Sequence, residues 1–162
     1  MRQRLHVTHS LEGMVSQYRH PVRSFLWELP AGLLDVPGEP PVEAAARELR
    51  EEADCAATRW HVLVDYLSSP GGSTEGLRVY LARDVSAVPV AERHERTGEE
   101  LGMPSRWVPL DDLVDGVLSG RVHSPSLVTG VLAASALRAR GWEGLRPAES
   151  PWPGGGSGLA DV

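Results

Sequence analysis

Four glutamates, Glu43, Glu48, Glu51 and Glu52, crowd a stretch that reads as one helix from about Pro41 to Ala53, offset only by Arg47 and Arg50. Val42, Ala45, Ala46, Leu49 and Ala53 recur there at spacings of three and four, which makes one apolar stripe that can pack on a sheet. At about 100° per residue, Glu48, Glu51 and Glu52 project together beside that stripe. Like charges so placed repel, and only Arg47 with Glu51 has the spacing of a stabilising helical ion pair. A solvated acidic face is one reading. The other is chemical: hard divalent cations such as Mg²⁺ prefer clustered carboxylate oxygens and bring substrate phosphates into their remaining positions.

The elements that must hold this helix follow from punctuation by proline, glycine and polar clusters. "SFLWEL" (24–29) reads as a strand closed by a turn at Pro30 to Gly32. "WHVLVDYLSS" and "LRVYLARDV" read as strands flanking the "PGGSTEG" loop, which lacks the Gly-Lys-Ser/Thr of a phosphate-binding P-loop and suits a hairpin or a substrate lid. "RWVPL" is a further short strand. Two more helices are expected, from about Leu110 to Ser119 and from about Ser126 to Arg140; Leu127, Val131, Ala134 and Leu137 form a stripe on the second. The N-terminal "MRQRLHVTHSLEG" is a poor strand pair. The Pro/Gly/Ser-rich end from Arg146 to Val162 is expected to be disordered. Strands mixed with helices, without strict alternation, predict an α/β class in which a mixed sheet is covered by helices.

Composition narrows the function classes. A chain of 162 residues supports one domain with an adequate core. Its net charge of -6 lacks the basic patch that nucleic-acid binding requires, so no nucleic-acid partner is expected. Cys55 is the single cysteine, which rules out a disulfide framework or a multi-thiolate metal site and makes a reducing cytoplasm the default location. It sits in an apolar slot and reads as a buried thiol. No apolar run approaches the roughly 18–20 residues that span a bilayer, so no membrane partner is expected. The six histidines are scattered and read as surface residues; Trp27, Trp60 and Trp107 read as core, and Trp142 and Trp152 fall near the tail.

The stretch from Gly32 through Glu39 and Arg47 to Cys55, ending "RELREEADC", resembles the Nudix box, G-x5-E-x7-R-E-U-x-E-E-x-G-U with U aliphatic. The preceding "QYRHPVRSFLWELPAGLLD" is similar to the ADP-ribose pyrophosphatase subfamily, as is Pro70, sixteen residues after Asp54. The resemblance runs from about Met14 to Arg140. It implies the Nudix fold, a mixed β-sheet sandwiched between helices (α/β/α), with a Nudix hydrolase domain over 14–145, a short N-terminal segment over 1–13 and a tail over 146–162. It also implies Mg²⁺, or Mn²⁺, held by Glu48, Glu52 and the Ala31 carbonyl, with Glu51 as a ligand or close partner. Arg47 would orient Glu51, and Gly32 would let the loop approach the metal. Arg19 corresponds to an arginine on the diphosphate, and Glu28 lies in the substrate-side strand. In the "HERTGEELGMPSRW" loop Glu100, or Glu99 in its place, would assist the attacking water. The implied reaction is hydrolysis of ADP-ribose or a related ADP-sugar to AMP and ribose 5-phosphate by a cytoplasmic homodimer.

Three departures from the family pattern define the alternatives. Gly32 to Glu39 holds one residue more than the box prescribes, and Asp54 replaces the glycine that ends it. About sixteen residues precede "QYRHPVR", where the subfamily carries several tens; the expectation is a shortened N-terminus, by truncation or by a misassigned start. The alternatives are a Nudix hydrolase for another nucleoside diphosphate sugar, and a catalytically weak Nudix domain that binds ADP-ribose.

Overall fold

The computed structural model describes residues 2–7, 11–96 and 102–153. In chain order the strands are β1 (Arg2–Val7), β2 (Leu11–Arg19), β3 (Ser24–Glu28), β4 (Ala31–Leu33), β5 (Cys55–Ala56), β6 (Arg59–Leu67), β7 (Gly76–Arg83), β8 (Ser86–Ala87), β9 (Ser105–Pro109) and β10 (Arg146–Pro147). Helix α1 (Pro41–Ala53) lies between β4 and β5; α2 (Leu110–Leu118) and α3 (Pro125–Ala139) lie between β9 and β10.

The main sheet runs β10-β6-β7-β1-β4; β1 is parallel to β7 and the other neighbours are antiparallel. A second antiparallel sheet runs β3-β2-β9. The main sheet is covered on both faces. Tyr80 and Ala82 of β7 join Val62, Ala45, Leu49 and Ala148 in a core beneath α1. Val79 and Leu81 of the same strand point the other way, to Leu63, Leu113, Leu127, Val131 and Ala134 beneath α2 and α3. β7 is therefore buried from Gly76 to Ala82, as a central strand between two helical layers must be. A register shift between Val62 and Val64 lets β6 serve both cores. This is the expected mixed sheet between helices.

Helix α1 starts and stops for identifiable reasons. Pro41 stands at the first helical position, where its fixed φ helps and its missing N–H costs nothing. At the other end Asp54 adopts φ 52°, ψ 35°, the left-handed conformation usually left to glycine, and its N–H reaches the Leu49 carbonyl.

Several expectations are corrected. The N-terminal stretch, read as a poor strand pair, supplies β1 and the start of β2; β1 lies inside the main sheet, with Arg2 to Val7 paired against Leu77 to Ala82. Its strand character comes from a long-range parallel pairing that local alternation does not reveal. Ala31 and Gly32, expected in a turn, open β4, with Ala31 opposite Arg4 and Gly32 opposite Gln3.

The tail expected to be disordered is docked as far as its described part extends. Arg146 and Pro147 pair with β6, and Ala148 enters the core beneath α1. Arg78, 3% exposed, donates to the Ser150 and Pro151 carbonyls at 2.7 and 3.1 Å and lies 5.6 Å from the Trp152 ring centroid. Asp65 accepts from Nε and Nη2 of Arg78 at 2.7 and 3.0 Å and also from Arg146 at 2.8 Å. Burial is the largest single influence on Arg78 and opposes its charge, yet the interactions with Asp65 and Tyr80 together outweigh it and hold the guanidinium above its ordinary pKa. The tail beyond Pro153 lies outside the described residues. Among the described residues, no helix is long and apolar enough to cross a membrane.

Candidate active site

The second sheet delivers the chain to the site. β3 ends at Glu28, 3% exposed, and after Leu29 and Pro30 β4 begins and runs beneath α1, which packs against β4, β1 and β2. Two glutamates of α1 meet the first residues of β4. Glu52, 8% exposed, accepts the Ala31 N–H on Oε2 at 2.9 Å. Glu48 presses on Gly32: a β-carbon added there would sit 1.8 Å from Glu48 Oε1 and 2.1 Å from its carboxyl carbon. Glycine at 32 is thus a steric requirement of the carboxylate, since no side chain could share that space.

Arg47 holds the remaining carboxylates. Its Nη1 donates to Glu48 Oε1 at 2.7 Å and to Glu51 Oε2 at 3.2 Å, while Nε and Nη2 take Glu39 at 3.1 and 3.2 Å. The Glu39 hydrogen bond leads in raising the Arg47 pKa, against burial and ahead of Glu48, so this cation is fixed. The sequence reading placed Arg47 with Glu51 and left Glu48 and Glu52 unpaired. The structure corrects this: Glu48 is the closer helical partner, and Glu52 is satisfied by backbone. Helical spacing alone could not predict that Glu39, brought back by the loop before α1, occupies the other edge of the guanidinium.

Arg19 and Glu28, both expected on the substrate side, are joined to each other. Arg19 Nε and Nη2 donate to the two Glu28 oxygens at 2.9 and 2.7 Å, a fork that fixes the guanidinium plane. Glu99 and Glu100, the candidates for assisting the attacking water, lie outside the described residues. A cleft of about 310 Å³ opens beside α1, lined by Arg47, Arg50, Glu51, Glu92 and His94. Sequence reasoning had passed over Arg50 and His94, which no motif spacing marks.

Among the described residues, no group of three or more Asp, Glu, His or Cys side chains stands ready-formed as a metal cage. The chemistry of the donors nevertheless fits a hard divalent cation. Glu48 and Glu52 meet successive residues of β4, and carboxylate oxygens brought together in this way are the donors such a cation prefers.

Fold and site together define a helix of carboxylates laid against a strand edge, with an arginine fork on the neighbouring sheet. The NUDIX domain family model matches residues 10–126, and this chain belongs to that family. Nudix hydrolases generally use divalent metal ions. The chain is 46% identical over 139 residues to the ADP-ribose pyrophosphatase of Mycobacterium tuberculosis (strain ATCC 25618 / H37Rv), covering 86% of this chain and 65% of that protein. It is 34% identical over 110 residues to the ADP-ribose pyrophosphatase of Bacillus subtilis (strain 168), covering 68% of this chain and 57% of that one. The matches thus span less than two thirds of either relative. A solved structure described as "Crystal structure of ADP compounds hydrolase" superposes with a TM-score of 0.69 at 20% identity, over 87% of this chain and 75% of its own, a likeness of fold.

Proposed function

We propose that this chain is a Mg²⁺-dependent hydrolase that cleaves the diphosphate of ADP-ribose, or a related ADP-sugar, to AMP and the sugar 5-phosphate. The observation that carries this reading is the seating of Glu48 and Glu52 on Gly32 and Ala31, which gathers two carboxylates at one strand edge. The names of the two curated relatives support the choice of substrate.

Glu48 and Glu52 would hold the metal, with the Ala31 carbonyl as a further ligand and Glu51 beside them. A bound Mg²⁺ supplies neutralisation of the diphosphate charge and eases deprotonation of the attacking water. Arg47 keeps Glu48 and Glu51 from repelling one another and fixes their rotamers. Arg19, its guanidinium plane fixed by Glu28, would contact the diphosphate. Glu100, or Glu99, takes the proton of the water as its oxygen bonds to one phosphorus and the bridging P–O bond breaks. Glu28 itself is committed to Arg19 and serves as its anchor.

The test is Glu52→Gln. The amide oxygen still accepts the Ala31 N–H, so the fold stays, while the charge that attracts the metal is lost. Turnover should fall by about 10²-fold or more, and an unchanged rate would remove Glu52 from the metal site.

We read the chain as a homodimer. Phe25 is 74% exposed and sits opposite Tyr18, 47% exposed, on the β2–β3 pair, an aromatic surface suited to burial against a second copy.

A further inference from the structure

Asp54 stands where the box has glycine, and its surroundings give that departure a role. The last carbonyls of a helix have no partner within it and carry the negative end of the helix dipole. In α1 those carbonyls belong to the residues proposed to hold the metal, and Arg96 reaches them. Its Nε donates to the Glu51 carbonyl at 3.1 Å, and its Nη2 donates to the Glu52 carbonyl at 2.9 Å and to Asp54 Oδ2 at 2.8 Å. Arg93 adds a second cation 3.9 Å from the same Asp54 oxygen, and the Asp54 carbonyl accepts the Val88 N–H at 2.8 Å. Residue 54 is therefore both the left-handed stop of α1 and the carboxylate that seats an arginine on its end. A glycine could do only the first.

We propose that Asp54 and Arg96 form a clamp, with Arg96 a positioning residue that fixes the last turn of α1 and so the direction in which Glu51 and Glu52 present their carboxylates. This rests on the metal-dependent reading above. Arg96 touches no reacting atom; it acts through the backbone of Glu51 and Glu52.

The test is direct Mn²⁺ binding, followed by the electron paramagnetic resonance of free Mn²⁺ without substrate, on wild type, Arg96→Ala, Arg96→Gln, Asp54→Gly and Glu52→Gln. Circular dichroism and thermal melts check the fold of each. Loss of the clamp should weaken Mn²⁺ binding about tenfold in Arg96→Ala, as supporting hydrogen bonds to metal sites do. Arg96→Gln, which keeps a donor, should fall between Arg96→Ala and wild type. Asp54→Gly should relax the backbone yet weaken binding, and Asp54→Gly combined with Arg96→Ala should be no weaker than Arg96→Ala alone. Wild-type Mn²⁺ binding in folded Arg96→Ala or Arg96→Gln would overturn the clamp while Glu52→Gln still lost its metal. Binding unchanged in Glu52→Gln would overturn the metal reading itself, and the clamp with it.

Discussion

Replacing Gly32 by alanine tests the heart of the site with a single methyl group. Gly32 is not among the residues of positive φ, so alanine imposes no backbone strain there. The added carbon would lie 1.8 Å from Glu48 Oε1, whereas real β-carbon contacts essentially never fall below 3.0 Å, so the carboxylate must withdraw by at least 3.0 − 1.8 = 1.2 Å. Glu48 is a flexible, partly exposed side chain and can swing away, so the melting temperature should hardly move. Its position relative to Glu52 cannot be kept. A displacement of about 1 Å in a reacting assembly costs about 10²-fold in rate, or about 2.7 kcal/mol at 1.36 kcal/mol per tenfold. The assay is kcat/KM for ADP-ribose hydrolysis over a Mg²⁺ titration, with Arg47→Lys as a control that keeps the positive charge but loses the fork. A Gly32→Ala protein within twofold of wild type at every Mg²⁺ concentration would refute the claim that the Gly32 edge sets the Glu48 carboxylate.

Arg78→Ala leaves Asp65 buried with Arg146 alone and should cost about 3–5 kcal/mol; limited proteolysis should then cut the segment from Arg146 to Pro153, and a wild-type digestion pattern would show that Arg78 does not hold it. Burial, then Arg83 and Arg59, lowers the His61 pKa below its ordinary 6.5. The folded state therefore binds the proton less well than the unfolded state, so stability is full above pH 6.5 and lost as pH falls through the folded pKa. His61→Gln should flatten that acid limb of the melting curve, and an unchanged limb would place the titration elsewhere. Phe25→Glu should convert a dimer to a monomer in sedimentation velocity, and a wild-type protein that already sediments as a monomer would remove the dimer reading.

The box helix was the most legible part of the chain because its signals are local. Pro41 opens it, a three-and-four apolar spacing runs through it, and a left-handed residue closes it, so its limits read from sequence agree with those of the structure. Strands β3, β6, β7 and β9 carry β-branched and aromatic runs and were equally plain. What escaped depends on partners far away in sequence. β1 is a strand because β7 accepts it in parallel. The docked tail depends on Arg78, more than seventy residues before Ser150, and on a glycine at 76 whose β-carbon would lie 2.7 Å from Trp152. Within the site, residue types were readable and pairings were not. Spacing could bring Arg47 to Glu51, but only the folded loop brings Glu39 to the same arginine, and only the course of the chain past Val88 brings Arg96 to Asp54.

The central claim is that the carboxylate helix is a working metal site acting on a nucleoside diphosphate sugar. Its most direct measurement is AMP release from ADP-ribose by this protein with Mg²⁺ present and again with EDTA. AMP and ribose 5-phosphate formed in equal amounts with Mg²⁺ and abolished by EDTA is the predicted result. No AMP from a folded protein, or AMP release that persists in EDTA, would contradict it.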